Sequence, residues 1–265
     1  MKTTDYSKIA SKYDQNEYRQ KIEPDNVLKD YMEQSIQSQY NILDLACGTG
    51  IYLYNQKECF NDKNINWCGL DASEDMLRVA EAKVNDVSFI KEFAENLPYE
   101  SEYFDYIVNN YAFQHFTKKT EVLDGITRVL KKNGIFKMHN IAIHEMKNWW
   151  VYKYFPSAYF EDLKRFWEKE LIFNELLNRG FNVEIHIQYQ MQSMEISKLL
   201  SYAENRDISI LTLIDDRDYI KGLEKMRSEI QNEPKAKLVC DFAEMFCIAK
   251  KTNDILEKSL PLLLK

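Results

Sequence analysis

Residues Ile42 to Gly50 read ILDLACGTG, a short apolar run that ends in an acid and passes at once into a turn of small residues. A buried parallel strand delivers the backbone in this way into a tight loop beneath a nucleotide-like ligand. Glycine at 48 and 50 permits the φ values such a turn needs and lets a ligand approach the main chain closely. Asp71 follows Gly50 by 21 residues, closing a second apolar run, Ile65 to Leu70. A carboxylate there can accept both hydroxyls of an unphosphorylated ribose. Together the two features predict an adenosine site.

Working outward, strands and helices alternate from about residue 17 to 140. Glu17 to Gln37 carries Ile22, Val27, Leu28, Tyr31, Met32 and Ile36 at helical spacing, which predicts an amphipathic helix. Strands are predicted at Ile42–Leu45, Ile65–Leu70, Val87–Ile90, Tyr106–Asn109 and Ile135–Ile141. Ser73 stands where an N-cap belongs, with Glu74 and Asp75 in the first turn facing the positive helix end. This rhythm implies a parallel sheet covered by helices on both faces. After Ile141 the rhythm breaks, and nine of the nineteen residues from Trp149 to Trp167 are Trp, Tyr or Phe. A single helix is predicted from about Glu161 to Arg179, stopped by Gly180. Asn182 to Gln190 alternates apolar and polar residues and reads as a half-buried strand near a sheet edge. Two helices within Glu195–Gln231 and a last strand near Val239–Ala249 complete the pattern.

The bulk numbers fit one soluble enzyme-sized chain. It has 265 residues, 45% of them hydrophobic, and a mean hydropathy of −0.51. No run approaches the ~20 apolar residues of a membrane helix, and the opening MKTTDYSKIASKYD has no signal core, so a cytoplasmic location is expected. Five cysteines without CxxC or Cys/His spacing read as reduced thiols, and nothing resembles a metal site. A net charge of −7 without a basic stripe argues against a nucleic-acid partner.

These residues resemble the class I S-adenosylmethionine-dependent methyltransferases of the small-molecule type, strongly over about residues 6 to 140. LDLACGTG is similar to the family's first motif, with Ala46 where glycine is frequent, a variant expected to cost little. The resemblance implies a seven-stranded, mostly parallel Rossmann-like sheet with helical and aromatic lid insertions. It places Asp44 near the methionine end of the cofactor and the Ala46–Gly50 backbone, with Gly48 and Gly50, against its methionine and ribose portions. It implies Asp71 on the ribose and Ala72 and Met76 against the adenine. FAENLP (Phe93 to Pro98) resembles the third motif. Phe93 stands there in place of an aspartate that accepts from the adenine amino group, which leaves the backbone of Ala94 and the carboxylates of Glu92 or Glu95 for that contact. FDYIVNNYAFQHF (Phe104 to Phe116) resembles the fourth motif, with Asn109, Gln114 and His115 as its polar groups. RVLKKNGIF (Arg128 to Phe136) resembles the helix, turn and strand that follow. YSKIASKYD (Tyr6 to Asp14) is similar to a segment that folds over bound cofactor. Tyr6 and Tyr13 either close over the cofactor or staple the first helix.

The implied reaction moves a methyl group from S-adenosylmethionine to an O, N or C atom of a small apolar or aromatic metabolite, leaving S-adenosylhomocysteine. The acceptor is the expected partner, with no membrane. Orientation and exclusion of water supply much of such catalysis, and a general base serves when the nucleophile carries a proton. His115, His139 and His144 are the candidate bases, each weighed against a structural role, while His186 reads as exposed. The aromatic stretch is either a helix pair packed on the sheet or a lid over the acceptor. One domain is expected, with a helical cap over 1–37, a cofactor core over 38–142, an aromatic lid over 143–175, further strands with a helical insertion over 176–251, and a tail. The rival readings are non-methyl chemistry on the same fold, methylation of RNA or protein, and a binding or scaffold protein without turnover, to which Phe93 alone points.

Overall fold

The computed structural model describes residues 23–206 and 208–252. Its seven strands are β1 (Tyr40–Leu45), β2 (Ile65–Asp71), β3 (Ser88–Lys91), β4 (Phe104–Asn110), β5 (Leu130–Ile141), β6 (Phe181–Glu195) and β7 (Lys237–Lys251). They form one sheet in the order β3-β2-β1-β4-β5-β7-β6, and the pairs β1·β2, β1·β4, β2·β3 and β4·β5 are parallel. The predicted Rossmann-like, mostly parallel sheet is therefore present, and the alternating strand of residues 182–190 does lie at its edge. The order reverses at β1, so β1 and β4 diverge around the loop that follows β1. Open α/β sheets bind ligands outside the carboxyl ends of the strands at such a point.

The chain divides into two compact units, and β5, β6 and β7 each continue from one into the other. Among the described residues the larger comprises 23–139, 170–185 and 247–252. Its core gathers Leu28 and Met32 of helix α1 (Asn26–Gln34) with Ile42, Leu53, Trp67, Tyr106 and Val108. Helix α2 (Ile51–Cys59) follows β1, and α3 (Glu74–Lys83) follows β2, capped by Ser73 as its sequence predicts. Helix α4 (Lys119–Val129) leads into β5.

The smaller unit holds residues 140–169 and 186–246. Here α5 (Trp150–Tyr154) and α6 (Pro156–Arg165) carry the aromatic stretch, and α8 (Ile196–Glu204) and α9 (Asp216–Asn232) are the two predicted later helices. Phe155 stacks on Tyr219 with ring centroids 5.9 Å apart. Gly222 makes room for it, since a Cβ there would meet the Phe155 ring at 2.2 Å. Tyr154 donates to Glu229 at 2.6 Å. Much of the aromatic content is thus core packing within this unit.

Three boundaries differ from expectation. Helix α1 begins only at Asn26, because Pro24 and the N-cap Asp25 precede it, and Asp25 accepts from the amides of Val27 and Leu28. The single helix predicted over 161–179 is two, α6 and α7 (Lys169–Leu177), with Phe166 extended between them. Lys164 and Arg165 complement the carboxyl end of α6, a stop signal that does not stand out within the charged stretch EDLKRFWEKE (161–170). Strand β5 starts five residues early, and the turn-like KKNG forms an irregularity in which Asn133 takes φ 62°. Residues 17–22 of the first predicted helix, Tyr6, Tyr13 and the tail lie outside the described residues. All five cysteines are free, and among the described residues no helix is long and apolar enough to cross a membrane.

Candidate active site

The loop after β1 is built from left-handed backbone. Ala46, Gly48 and Gly50 have φ of 60°, 53° and 71°. The Cys47 amide donates to the Leu70 carbonyl at 3.0 Å and the Gly50 amide to the Cys47 carbonyl at 2.9 Å, which ties the loop to β2 and to itself. A Cβ on Gly50 would press on Ala80 of α3 at 3.0 Å, whereas one on Gly48 would meet no atom of the described residues within 4 Å. Gly50 is thus fixed by packing and Gly48 faces open space. Ala46 does not come free: a non-glycine residue in this region costs about 1 kcal/mol, more than the sequence suggests.

Asp71 ends β2 and reaches across to this loop. Its Oδ2 accepts from the Gly48 amide and its Oδ1 from the Ser73 amide, both at 2.8 Å. Burial raises its pKa, and the amides of Ser73, Gly48 and Ala72 pull it back in part. The main chain therefore supplies the partners this acid needs, and a ribose is not required to satisfy it. A carboxylate has about four lone-pair sites, so two hydroxyls can still be accepted.

Asp44 is different. It lies on β1, paired with Gly69 and Val108 and with 2% of its surface exposed, and among the described residues no cation or hydrogen-bond donor acts on its carboxyl. Burial, and then the charge of Asp71, push its pKa up to about 8. Burial of this kind disfavours the charged carboxylate unless an opposite charge stands beside it.

At the carboxyl end of β4 the buried Asn109 donates to the Leu45 carbonyl at 2.8 Å, steadying β1 where the loop begins, and its Oδ1 has no partner among the described residues. Tyr111, the residue after β4, takes φ 51°. Its amide donates to the His139 carbonyl at 2.7 Å and its carbonyl accepts from Gln114 at 2.7 Å. Its hydroxyl lies 3.0 Å from His139 Nε2.

A family model for a methyltransferase domain matches residues 36–203. The chain belongs to that methyltransferase family. As a member it is an S-adenosylmethionine-dependent methyltransferase of the small-molecule type. It is 30% identical over 185 residues to the ubiquinone/menaquinone biosynthesis C-methyltransferase of Campylobacter jejuni, covering 60% of this chain and 76% of that one. Over a shorter span of 93 residues it is 38% identical to the demethylmenaquinone methyltransferase of Thermotoga maritima, covering 35% and 40% of the two chains. Its fold is similar to that of a protein from Anabaena variabilis described as a methyltransferase of an antibiotic biosynthesis pathway. The TM-score is 0.65 at 18% identity, over 86% of this chain and 98% of that one.

The methyltransferase brings several predicted residues together and employs others elsewhere. Asp71 bonds Gly48 directly, Ala46 and Gly50 share the same loop, Asp44 precedes it on β1, and Asn109 reaches it through Leu45. Met76 and Ala94 are buried, whereas Ala72 is exposed. Phe93 is 63% exposed, and its amide donates to its neighbour Glu92 at 2.8 Å. The Glu92 amide in turn donates to the Asp71 carbonyl, so Glu92 is the acid tied to the end of β2. Glu95 instead accepts from Thr117 and Lys118 ahead of α4. Of the histidines, His115 ends a short 3-10 turn after β4 and His139 is on β5. His144 lies in the smaller unit, its Nε2 buried without a partner. Tyr111 was not legible as a site residue, since nothing in the sequence announces a bulky side chain in left-handed backbone.

Proposed function

We propose that this methyltransferase holds S-adenosylmethionine at the carboxyl ends of β1 and β2 and methylates a small flat ring bearing hydroxyls, of the hydroquinone type. Asp44 faces the cationic methionine end, the backbone from Ala46 to Gly50 lies along the methionine and ribose portions, and Asp71 takes the ribose hydroxyls. Ala72, Met76 and Ala94 surround the adenine, with Glu92 favoured over Glu95 as substitute for the acceptor that Phe93 lacks. The observation that carries this reading is Asp44, a buried carboxyl with no cation among the described residues, four residues ahead of a glycine open on its Cβ side. In support, a neighbour of similar fold (TM-score 0.51, 18% identical, 86% of this chain and 52% of that one) is the Haemonchus contortus phosphoethanolamine N-methyltransferase 2 in complex with S-adenosylhomocysteine.

The acceptor class follows from the quinone-pathway relatives and from the aromatic segment within 143–175. A cavity of about 320 Å³ in that unit is lined by Trp149 and Tyr152 with Lys147 and Lys153. We assign acceptor selection to this segment, and acid–base duty to His115, His139 or His144. The chain works in the cytoplasm in this reading. Calorimetric titration with S-adenosylmethionine, S-adenosylhomocysteine and NAD tests the cofactor: the first two bind and NAD does not. Binding of NAD alone overturns the assignment. Mass spectrometry of 1,4-naphthohydroquinone incubated with enzyme and cofactor tests the acceptor, which gains one methylene in mass.

A further inference from the structure

We propose that Tyr111 and His139 form a proton relay for methyl transfer, with Tyr111 touching the acceptor and His139 receiving the proton behind it. The proposal rests on the methyl-transfer reading above and adds a catalytic residue to it.

Backbone strain is the first observation. Tyr111 is an aromatic residue at φ 51°, a conformation that costs an L side chain of this bulk on the order of 1–2 kcal/mol. Such strain persists only where neighbours over-determine it. Here three bonds do so: the Tyr111 amide to the His139 carbonyl, Gln114 Nε2 to the Tyr111 carbonyl, and the Tyr111 hydroxyl with His139 Nε2. The strain is not repaid by burial, since 39% of Tyr111 stays exposed. The structure thus spends bonds to hold a phenol and an imidazole together, ring centroids 4.4 Å apart, at a place where the phenol remains reachable.

Location is the second. Asn110 of β4 pairs with His139 of β5, so the relay sits at the carboxyl ends of adjacent parallel strands. β4 also carries Asn109, which steadies the cofactor loop through Leu45. The third is an open acceptor in the same turn. Gln114 is 5% exposed, its Nε2 is committed to Tyr111, and its Oε1 has no partner among the described residues. A buried amide oxygen of this kind calls for a donor from a ligand.

The chemistry balances without another reactant. The acceptor lone pair attacks the methyl carbon, and the S–CH3 bond breaks with its electron pair going to sulfur. The sulfonium becomes a neutral thioether as the new bond to methyl forms. The acceptor proton passes to Tyr111 Oη while the tyrosine proton passes to His139 Nε2. The positive charge that leaves sulfur appears on the imidazolium, which then releases a proton to water. His139 must begin neutral, protonated on Nδ1 and accepting at Nε2.

The experiment compares wild type with Tyr111→Phe and His139→Gln, using 1,4-naphthohydroquinone as acceptor probe and calorimetry to verify cofactor binding in each. Tyr111→Phe keeps the ring and both backbone bonds. Its kcat is expected to fall about 100-fold while KM changes by less than about threefold, with S-adenosylmethionine binding intact. Undiminished kcat in Tyr111→Phe overturns the relay. In parallel, the 15N spectrum of histidine-labelled wild type with S-adenosylmethionine at pH 7.5 is expected to show His139 Nε2 unprotonated and hydrogen-bonded, a signature that Tyr111→Phe removes. A protonated Nε2, or a spectrum unmoved by Tyr111→Phe, overturns the relay as well. If wild type leaves the probe unmethylated, the hydroquinone reading fails on its own, and the nitrogen spectrum decides the relay.

Discussion

Two buried aspartates in the larger unit show how this chain separates structure from chemistry. Asp25, at the head of α1, is neutralised on every side. It accepts from the amides of Val27 and Leu28, from the Tyr52 and Tyr106 hydroxyls at 2.8 and 2.9 Å, and from Lys137 at 2.7 Å. Asp105, at the start of β4, is treated likewise by Asn41, Gln37 and Lys131. Asp44 is just as deeply buried and receives no cation and no donor among the described residues, and its pKa rises accordingly. Where the chain supplies the partners, a carboxylate is a fastening. Where it withholds them, the carboxyl is left for the positively charged ligand of the proposed reading.

The strongest way to test that contrast is to break the fastening. Asp25→Ala strands Lys137 and two buried phenols, and it should lower stability by roughly 3–5 kcal/mol in urea titrations. The opposite sign is expected at Asp44. Its folded pKa, about 8, lies above the ordinary 3.8, so the folded state holds a proton that the unfolded chain releases. Its stabilising contribution is complete below pH 3.8 and is lost as pH rises through 8. Asp44→Asn, a neutral isostere, should therefore remove this loss and stabilise the ligand-free protein by roughly 2 kcal/mol at pH 8.5, with little effect near pH 4. A variant no more stable than wild type at the higher pH would show that Asp44 is ionised and paired after all. The same residue should couple binding to protons. Calorimetry in buffers of different ionisation heat should find about one proton released per S-adenosylmethionine bound near pH 7 in wild type, and none in Asp44→Asn.

That contrast between carboxylates was only half legible in the sequence. Period-two and apolar runs located the strands because burial on both faces dictates them, and the acid-plus-small-turn pattern located the loop because only such residues reach those φ values. Asp44 and Asp71 were found by the same signal. What separates them is three-dimensional: the amides of Gly48 and Ser73 turn toward Asp71, and no donor among the described residues turns toward the Asp44 carboxyl. Asp25 went unread as a cap because the apolar period of α1 continues upstream through Ile22 and drowned the Pro24-Asp25 start signal. Tyr111 went unread because its strain is set by the His139 carbonyl and Gln114, 28 and 3 residues away, and no local preference of tyrosine predicts it.

The smallest expected effect sharpens the comparison within the loop itself. Gly50→Ala adds a left-handed alanine and a methyl pressed 3.0 Å from Ala80, so it should cost roughly 1–3 kcal/mol of stability. Gly48→Ala adds only the backbone term, about 1 kcal/mol, the same burden the chain already carries at Ala46. For the ligand the order reverses. The space that a methyl on Gly48 would occupy is free of atoms of the described residues, and in the proposed reading the cofactor approaches the main chain through it, so Gly48→Ala should weaken S-adenosylmethionine binding more than its stability cost explains. Thermal unfolding read with and without cofactor separates the two terms, because ligand-induced stabilisation scales with the affinity that remains. If Gly48→Ala keeps the full cofactor-induced shift, the open face of this loop is not where the ligand lies, and the vacancy at Asp44 must be filled from another side.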